Sequence, residues 1–180
     1  MTENAGKRTF FREMAKPFLV LTVICLAVSA LLGFTNYVTK PVIEENAARQ
    51  AEETRRAVLP EADGFTELDP SGWEGVDSIY RADNGAGYVI TASAMGYKGV
   101  VTVTVGFDAS GAVAGLSADV STETVGIGSK AGEEAYLANY MGLTEGAGAA
   151  VDTITSATYS SRAVRLAIDY AMAACAGVRG

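Results

Sequence analysis

The amino-acid sequence predicts an α+β fold, with one N-terminal transmembrane helix and a stalk, followed by an antiparallel sheet with helices. Three observations support this prediction: a long uncharged apolar run near the N-terminus, a series of short β-branched segments between tight turns, and a final segment whose apolar residues recur at helical spacing. A chain of 180 residues has room for one modest globular domain beside a membrane segment, but not for two large catalytic domains.

The composition excludes several classes of chemistry. The chain contains no histidine, which rules out a Ser-His-Asp triad, a Cys-His dyad, an HExxH zinc site and a CxxCH haem attachment. Cys25 and Cys175 have no CxxC partner, so we expect packing residues and no metal site. Residues 41–180 carry nine basic and nineteen acidic side chains, which disfavours binding to nucleic acid because such binding relies on Lys and Arg.

The first predicted element is a transmembrane helix over residues 17–39, a stretch without any charged side chain. Its length suits a helix that crosses roughly 30 Å of hydrocarbon. Residues 1–16 carry all the basic side chains that precede it: Lys7, Arg8, Arg12 and Lys16. Because positive flanks stay inside, we expect a cytoplasmic N-terminal segment and an extracytoplasmic C-terminal domain, single-pass in a bacterial or archaeal cytoplasmic (inner) membrane.

Two other interpretations of the apolar run, a cleaved signal peptide and a lipoprotein anchor, are less favoured. The VSA sequence at residues 28–30 is similar to a signal-peptide cleavage site, but hydrophobicity continues well past it. A lipoprotein anchor at Cys25 requires a small preceding residue, and Ile24 stands there.

Residues 40–60 are predicted to form a helical stalk that extends the membrane helix. Glu45 with Arg49 and Glu52 with Arg56 stand at i,i+4 in the favourable order, and each such pair contributes about 0.2 to 0.5 kcal/mol to a helix.

Residues 61–180 form the predicted extracytoplasmic domain. Turn signals DPSG, DNGAG, GYKG and DASG separate the strand-like segments YVITASAM, VVTVTVGF and AVAGLSADV, a pattern typical of an antiparallel meander. A helix is expected from Lys130 to about Met141, and a last helix capped by Ser160 or Ser161. The apolar stripe of this last helix comprises Val164, Ala167, Ile168, Ala171, Met172 and Cys175.

Two polar segments are the candidates for function: STETVGIGSKAG at residues 121–132 and VDTITSATYSSR at residues 151–162. The glycines of the first do not have the GxGxxG spacing, and Lys130 is followed by Ala131, which excludes a Walker A loop. The hydroxyls of the second stand at a helix start, where they form either a phosphate site or only a helix cap. From the residues alone, these two alternatives stay open.

A family resemblance bears on this choice. The segment DTITSAT resembles the flavinylation motif Dxx(S/T)(G/S)AT, and ETVGIG resembles the ETPGLG stretch of the same FMN-binding domain family. The segment GYKGVVTVTVGFDASGAVAG resembles the hairpin that precedes it. The whole chain resembles the G subunits of Rnf ion-translocating ferredoxin:NAD oxidoreductase complexes. It departs from the pattern at Val125, where proline is usual, and at Ser156, where glycine is common.

The resemblance implies a membrane-anchored flavoprotein that carries electrons within an oxidoreductase complex and has no catalytic residue or substrate of its own. FMN would be attached to Thr158 through a phosphoester by a magnesium-dependent flavin transferase that uses FAD and recognises Asp152. Its implied partners are that transferase and the other subunits of the Rnf complex. The expected cofactor-binding residues are Glu123, Thr124, Gly126, Ile127, Gly128, Thr155, Ser156, Ala157 and Thr158.

Arg162, four residues after Thr158, is a candidate donor to the phosphate on the basis of spacing alone. Three alternatives to an Rnf G subunit remain: the C subunit of a sodium-translocating NADH:quinone reductase, a membrane-tethered non-redox binding domain, and an enzyme acting alone on a small molecule.

Overall fold

The computed structural model describes the backbone of residues 3–146 and 150–180, and the side chains of residues 15–146 and 150–180. Its contacts divide the chain into two units, Met1–Gln50 and Ala51–Gly180.

The first element is one long helix, α1 (Glu3–Val58). The stretch Ala15–Val58 is long and apolar enough to cross a membrane, with a mean hydropathy of 2.5 in its most apolar window. Pro17 and Pro41 lie inside the helix and do not end it, although each proline removes one backbone donor.

The predicted ion pairs of the stalk are present. The guanidinium of Arg49 lies 3.4 Å from the carboxylate of Glu45, and that of Arg56 lies 3.0 Å from that of Glu52. All four side chains are exposed, so these pairs support the helix only weakly.

The sheet is antiparallel, and its five strands lie side by side in chain order. The predicted segments form its last three strands, which confirms the meander; two more strands precede them. The strands are β1 (Phe65–Leu68), β2 (Val76–Ala82), β3 (Gly87–Met95), β4 (Val100–Asp108) and β5 (Val113–Asp119).

The predicted last helix packs against this sheet. Helix α3 (Thr158–Arg179) buries every residue of the predicted apolar stripe, each at most 2% exposed. The stripe packs in one core with apolar side chains of the two central strands, such as Ile90 and Val103. This confirms the α+β fold of strands covered by a helix.

A second, smaller core lies at the end of α1. Val58, Leu59 and Ala62 are buried together with Ala82 of β2 and Val89 of β3. The last turn of α1 is therefore part of the globular unit that contains the sheet.

The helix expected from Lys130 to about Met141 is wrong as one continuous element. The region contains a 3₁₀ helix (Gly128–Gly132), the short α2 (Glu134–Leu137) and a second 3₁₀ helix (Ala138–Tyr140). Glu133 is extended, with ψ of 142°, and interrupts the helical hydrogen bonding. Gly132 lies so close to the end of β5 that a Cβ there would come within 2.7 Å of a Val120 methyl group, and this packing fixes the break.

The predicted cap of α3 is also wrong. The helix begins at Thr158, its N-cap is Ala157, and no side chain caps it. Ser160 and Ser161 lie in the first turn and are buried. The Ser160 hydroxyl bonds to Glu123, and the Ser161 hydroxyl bonds to Ile154 and Ala157 in the turn before the helix, so neither caps it.

Candidate functional site

A hydrogen bond joins the two polar segments. Ser160 Oγ, in the first turn of α3, donates a bond of 2.5 Å to Glu123 Oε2, in the loop after β5. Both residues are buried. Gly128 lies against the same pair, where a Cβ would come within 2.7 Å of Ser160 Oγ and 2.9 Å of Glu123. The loop can approach α3 this closely because position 128 has no side chain.

The Glu123 carboxylate also holds the turn between β3 and β4. The backbone N–H of Lys98 donates to Oε1 at 3.0 Å, and the backbones of Tyr97 and Gly99 contribute further hydrogen bonds. Burial by itself raises the pKa of Glu123, but the bonds from Ser160 and the backbone outweigh it, so the pKa lies below its ordinary value. Glu123 is thus a charged, buried carboxylate that ties three segments together.

A cavity of about 200 Å³ lies where these three segments meet. Apolar side chains line it yet are open to solvent: Tyr97 and Tyr159 are each 69% exposed, and Ile127 is 48% exposed. The centroids of the two tyrosine rings are 6.2 Å apart, with an angle of 46° between the ring planes. A concave site with apolar walls and a few polar groups is typical of a small-molecule or cofactor site.

Thr158 lines this cavity from the first position of α3. It is exposed, and its Oγ1 lies 3.4 Å from the carbonyl oxygens of both Ile154 and Thr155, long distances for hydrogen bonds. The first amides of a helix have no partner within the helix, and together with the helix dipole they favour an anion. A phosphate group on this hydroxyl would lie beside them.

The site does not supply a base to activate Thr158. A threonine hydroxyl is a weak nucleophile near neutral pH unless a base is next to it. The carboxylate on the cavity wall, Glu123, accepts its hydrogen bonds from Ser160 and Lys98 instead.

Ser161 fixes the loop that precedes Thr158. Its Oγ accepts a hydrogen bond of 3.1 Å from the backbone N–H of Ile154 and donates one of 2.9 Å to the carbonyl of Ala157. The Ala157 N–H in turn donates to the Ile154 carbonyl at 2.9 Å. These bonds close residues 154–157 into a tight turn that presents Thr158 at its end.

Comparison with known proteins identifies both parts of the chain. The FMN-binding domain family matches residues 96–173, and the RnfG N-terminal region matches residues 1–58. The G subunit of the Na(+)-translocating ferredoxin:NAD(+) oxidoreductase complex of Acetobacterium woodii is 31% identical over 173 residues, which cover 81% of this chain and 84% of the relative. The chain belongs to the family of Rnf G subunits.

Two further members of this family are similar to the chain. The G subunit of the ion-translocating oxidoreductase complex of Methanosarcina acetivorans is 28% identical over 90% of this chain and 96% of its own length. The G subunit of the proton-translocating ferredoxin:NAD(+) oxidoreductase complex of Clostridium ljungdahlii is 25% identical over 67% of this chain and 64% of its own length. The resemblance to Rnf G subunits inferred from the motifs is thereby confirmed, in preference to the quinone reductase alternative.

Within this G subunit, the structure brings most of the predicted cofactor-binding residues together. The following positions line the cavity: Glu123, Thr124, Ile127, Gly128, Ser156, Ala157 and Thr158. Gly126 and Thr155 belong to the same two segments but do not line it. Gly126 has a φ of +77°, which favours glycine, and its N–H donates to Ser129 Oγ at 2.9 Å.

Asp152 lies outside this cavity. It is exposed and borders a separate cavity of about 360 Å³, together with Tyr136, Asn139 and Leu143. Its predicted role, recognition by a transferase, does not require contact with the cofactor and stays a prediction.

Three residues of the site were not predicted from sequence: Tyr97, Tyr159 and Ser160. Tyr97 was assigned only to the GYKG turn, and its position opposite α3 depends on the fold. Tyr159 directly follows the motif threonine, and this aromatic neighbour was a signal that could have been used. Ser160 was interpreted as a cap.

The residues of the cavity fit FMN. The exposed faces of Tyr97, Tyr159 and Ile127 suit a flat, apolar ring system. The start of α3 suits a phosphate group, and the Thr158 hydroxyl at that position is accessible. Gly128 has no side chain, so the loop backbone itself forms this part of the cavity wall.

Proposed function

We propose that this chain is a membrane-anchored electron-carrier subunit of an Rnf-type ion-translocating ferredoxin:NAD oxidoreductase, with FMN attached covalently to Thr158. The observation that carries the proposal is the position of Thr158: the final residue of DTITSAT is exposed at the first turn of α3 and on the wall of the apolar cavity. The family match to an FMN-binding domain supports the identity of the cofactor.

Attachment requires a partner enzyme, because none of the described residues that line the cavity offers a free base to Thr158. A magnesium-dependent flavin transferase would supply FAD. Thr158 Oγ1 would form the new bond to phosphorus and its proton would pass to the transferase, while the phosphoanhydride bond of FAD would break and AMP would depart. Asp152 would belong to the surface that the transferase recognises, and the turn at residues 154–157 holds the acceptor in place.

After attachment, the residues of the cavity bind and orient the cofactor. The first amides of α3 would stabilise the phosphate. Arg162 is exposed and stands four residues after Thr158, about one helical turn, so its guanidinium would add a charged donor to the phosphate. Tyr97 and Tyr159 would lie against the ring system and exclude water from it. The flavin supplies the ability to take up and release electrons, while the protein determines its position and potential.

The same proposal includes the membrane. Helix α1 crosses it, with the basic residues before the span on the cytoplasmic side and the globular domain outside. Covalent attachment has a clear advantage in that location, since FMN that dissociated outside the cytoplasm would be lost. Electrons would enter from and leave to other subunits of the complex.

Fluorescence after denaturing electrophoresis tests the proposal. The full chain is co-produced with a flavin transferase, and wild type is compared with Thr158→Val and with Thr153→Val, a neighbouring change at a variable position of the motif. We expect a fluorescent band for wild type and Thr153→Val and a dark band of equal protein amount for Thr158→Val. A dark wild-type band would contradict the proposal and leave a tethered non-redox binding domain.

A further inference from the structure

Glu123 places a charge at the wall of the cavity without a cationic partner. Its side chain is 4% exposed, and it lines the same cavity as Thr158. Its described partners are the hydroxyl of Ser160 and backbone amides, including that of Lys98 at 3.0 Å. In the part of the chain that the structure describes, no Lys or Arg forms an ion pair with it.

The hydrogen bonds keep this carboxylate ionised and immobile. They lower the pKa of Glu123 despite the burial that opposes ionisation. Because donors from two other segments, the β3–β4 turn and the first turn of α3, converge on it, the carboxylate cannot swing away from the cavity. Charges in such a poorly solvated position interact more strongly with their surroundings than surface charges do, and salt screens them less.

We infer that Glu123 holds the midpoint potential of the flavin low, by means of a fixed negative charge beside the cavity. The inference rests on the proposed function, because it requires FMN on Thr158. Reduction adds electrons to the ring system, and a nearby negative charge makes that addition less favourable. Glu123 therefore acts as a positioning and tuning residue and takes no part in a bond to the cofactor.

The structure offers two substitutions with opposite expected effects. Glu123→Gln removes the charge and keeps the shape and one acceptor oxygen, so the midpoint potential should become less negative. Ser160→Ala removes a donor that partly neutralises the carboxylate but leaves the charge in place, so the potential should become more negative. Glu133→Gln, an exposed carboxylate outside the cavity, is the matched control and should leave the potential unchanged.

The experiment is a spectroelectrochemical titration of the flavinylated full chain in detergent micelles, at neutral pH, for wild type and the three variants. Circular dichroism in the flavin absorption bands shows whether the cofactor keeps its orientation, which separates loss of charge from a shifted site. A loaded Glu123→Gln protein with an unchanged or more negative potential would overturn the inference. If Glu123→Gln fails to fold, Ser160→Ala provides the test. An unchanged or less negative midpoint potential in Ser160→Ala would overturn the inference.

Failure of the proposed function gives a different result. In that case wild type carries no covalent flavin, and no potential is measured for any variant. A loaded wild type whose potential does not respond to Glu123→Gln contradicts this inference alone.

Discussion

The rings of Tyr97 and Tyr159 form a tilted pair at the wall of the cavity, with their centroids 6.2 Å apart. One lies in the turn between β3 and β4, and the other is the second residue of α3. The Glu123 carboxylate bonds to the backbone beside Tyr97 and to Ser160 beside Tyr159. One buried carboxylate therefore links the two segments that carry these aromatic rings.

Removal of the Tyr97 ring should open the flavin to solvent. We expect collisional quenching of flavin fluorescence by iodide to increase in flavinylated Tyr97→Ala, because the ring no longer covers one side of the cavity. Tyr97→Phe keeps the ring and should resemble wild type. Equal quenching in wild type and Tyr97→Ala would show that Tyr97 does not shield the flavin.

The Glu123 carboxylate should make stability depend on pH. Its folded-state pKa is lowered from the ordinary 4.5, so its contribution is complete above that pH and is lost as pH falls through the lowered value. Glu123→Gln should cost about 1 to 3 kcal/mol of unfolding free energy at pH 7, typical for hydrogen bonds to a charged group.

Trp73 is the sole tryptophan of the chain and packs against the main core, so its fluorescence reports unfolding of the globular domain in micelles. The difference between wild type and Glu123→Gln should shrink in denaturant titrations as the pH is lowered below 4.5. A difference that stays constant from neutral to acidic pH would argue against a charged carboxylate.

The sequence predicted those parts of the fold that depend on local pattern. The last three strands alternate β-branched residues between tight turns, and the stripe of α3 has regular helical spacing, so both were correct. The helix over residues 130–141 was wrong because close packing of Gly132 on Val120 decides its break. The capping role of Ser160 and Ser161 was wrong because Ser160 bonds to Glu123 in a distant loop and Ser161 bonds to Ile154 and Ala157 in the turn before the helix.

In the candidate site, too, the sequence predicted the residues marked by local motifs but not those brought together by the tertiary fold. Thr158 and the loop at residues 123–128 were recognisable because short motifs mark them. Tyr97 could not be assigned to the site, since only the tertiary fold brings the β3–β4 turn beside α3. The predicted contact of Glu123 with the cofactor stays a prediction, and the tertiary fold adds that its carboxylate is engaged by the protein itself.

Two glycines should be needed where the end of α1 meets the sheet. Gly106 of β4 and Gly115 of β5 are paired in register, and a Cβ at either position would collide with the carbonyl of Val58. Gly106→Ala and Gly115→Ala should each cost about 1 to 3 kcal/mol, the usual range for overpacking. The control is Gly180→Ala, whose Cβ would meet only Ala176 at 3.6 Å and which should change the unfolding midpoint little. Equal midpoints for the three variants would contradict the close packing of Val58 on these two strands.

Cysteine labelling should show the orientation in the membrane. Burial raises the pKa of Cys175 to about 11, and Cys25 lies inside the apolar span, so neither native thiol should react with a membrane-impermeant maleimide. Ser110→Cys, in the exposed turn between β4 and β5, should be labelled in intact cells. Thr9→Cys, before the span, should be labelled only after lysis, and the reverse pattern would invert the proposed topology.

The intact mass of the purified full chain, after co-production with a flavin transferase, tests the central proposal most directly. We expect the mass of the polypeptide plus one FMN minus one water, with the added group located by peptide mapping to Thr158 and absent from Thr158→Val. An unmodified wild-type mass, or a flavin mapped to another residue, would contradict the assignment of Thr158 as the attachment site.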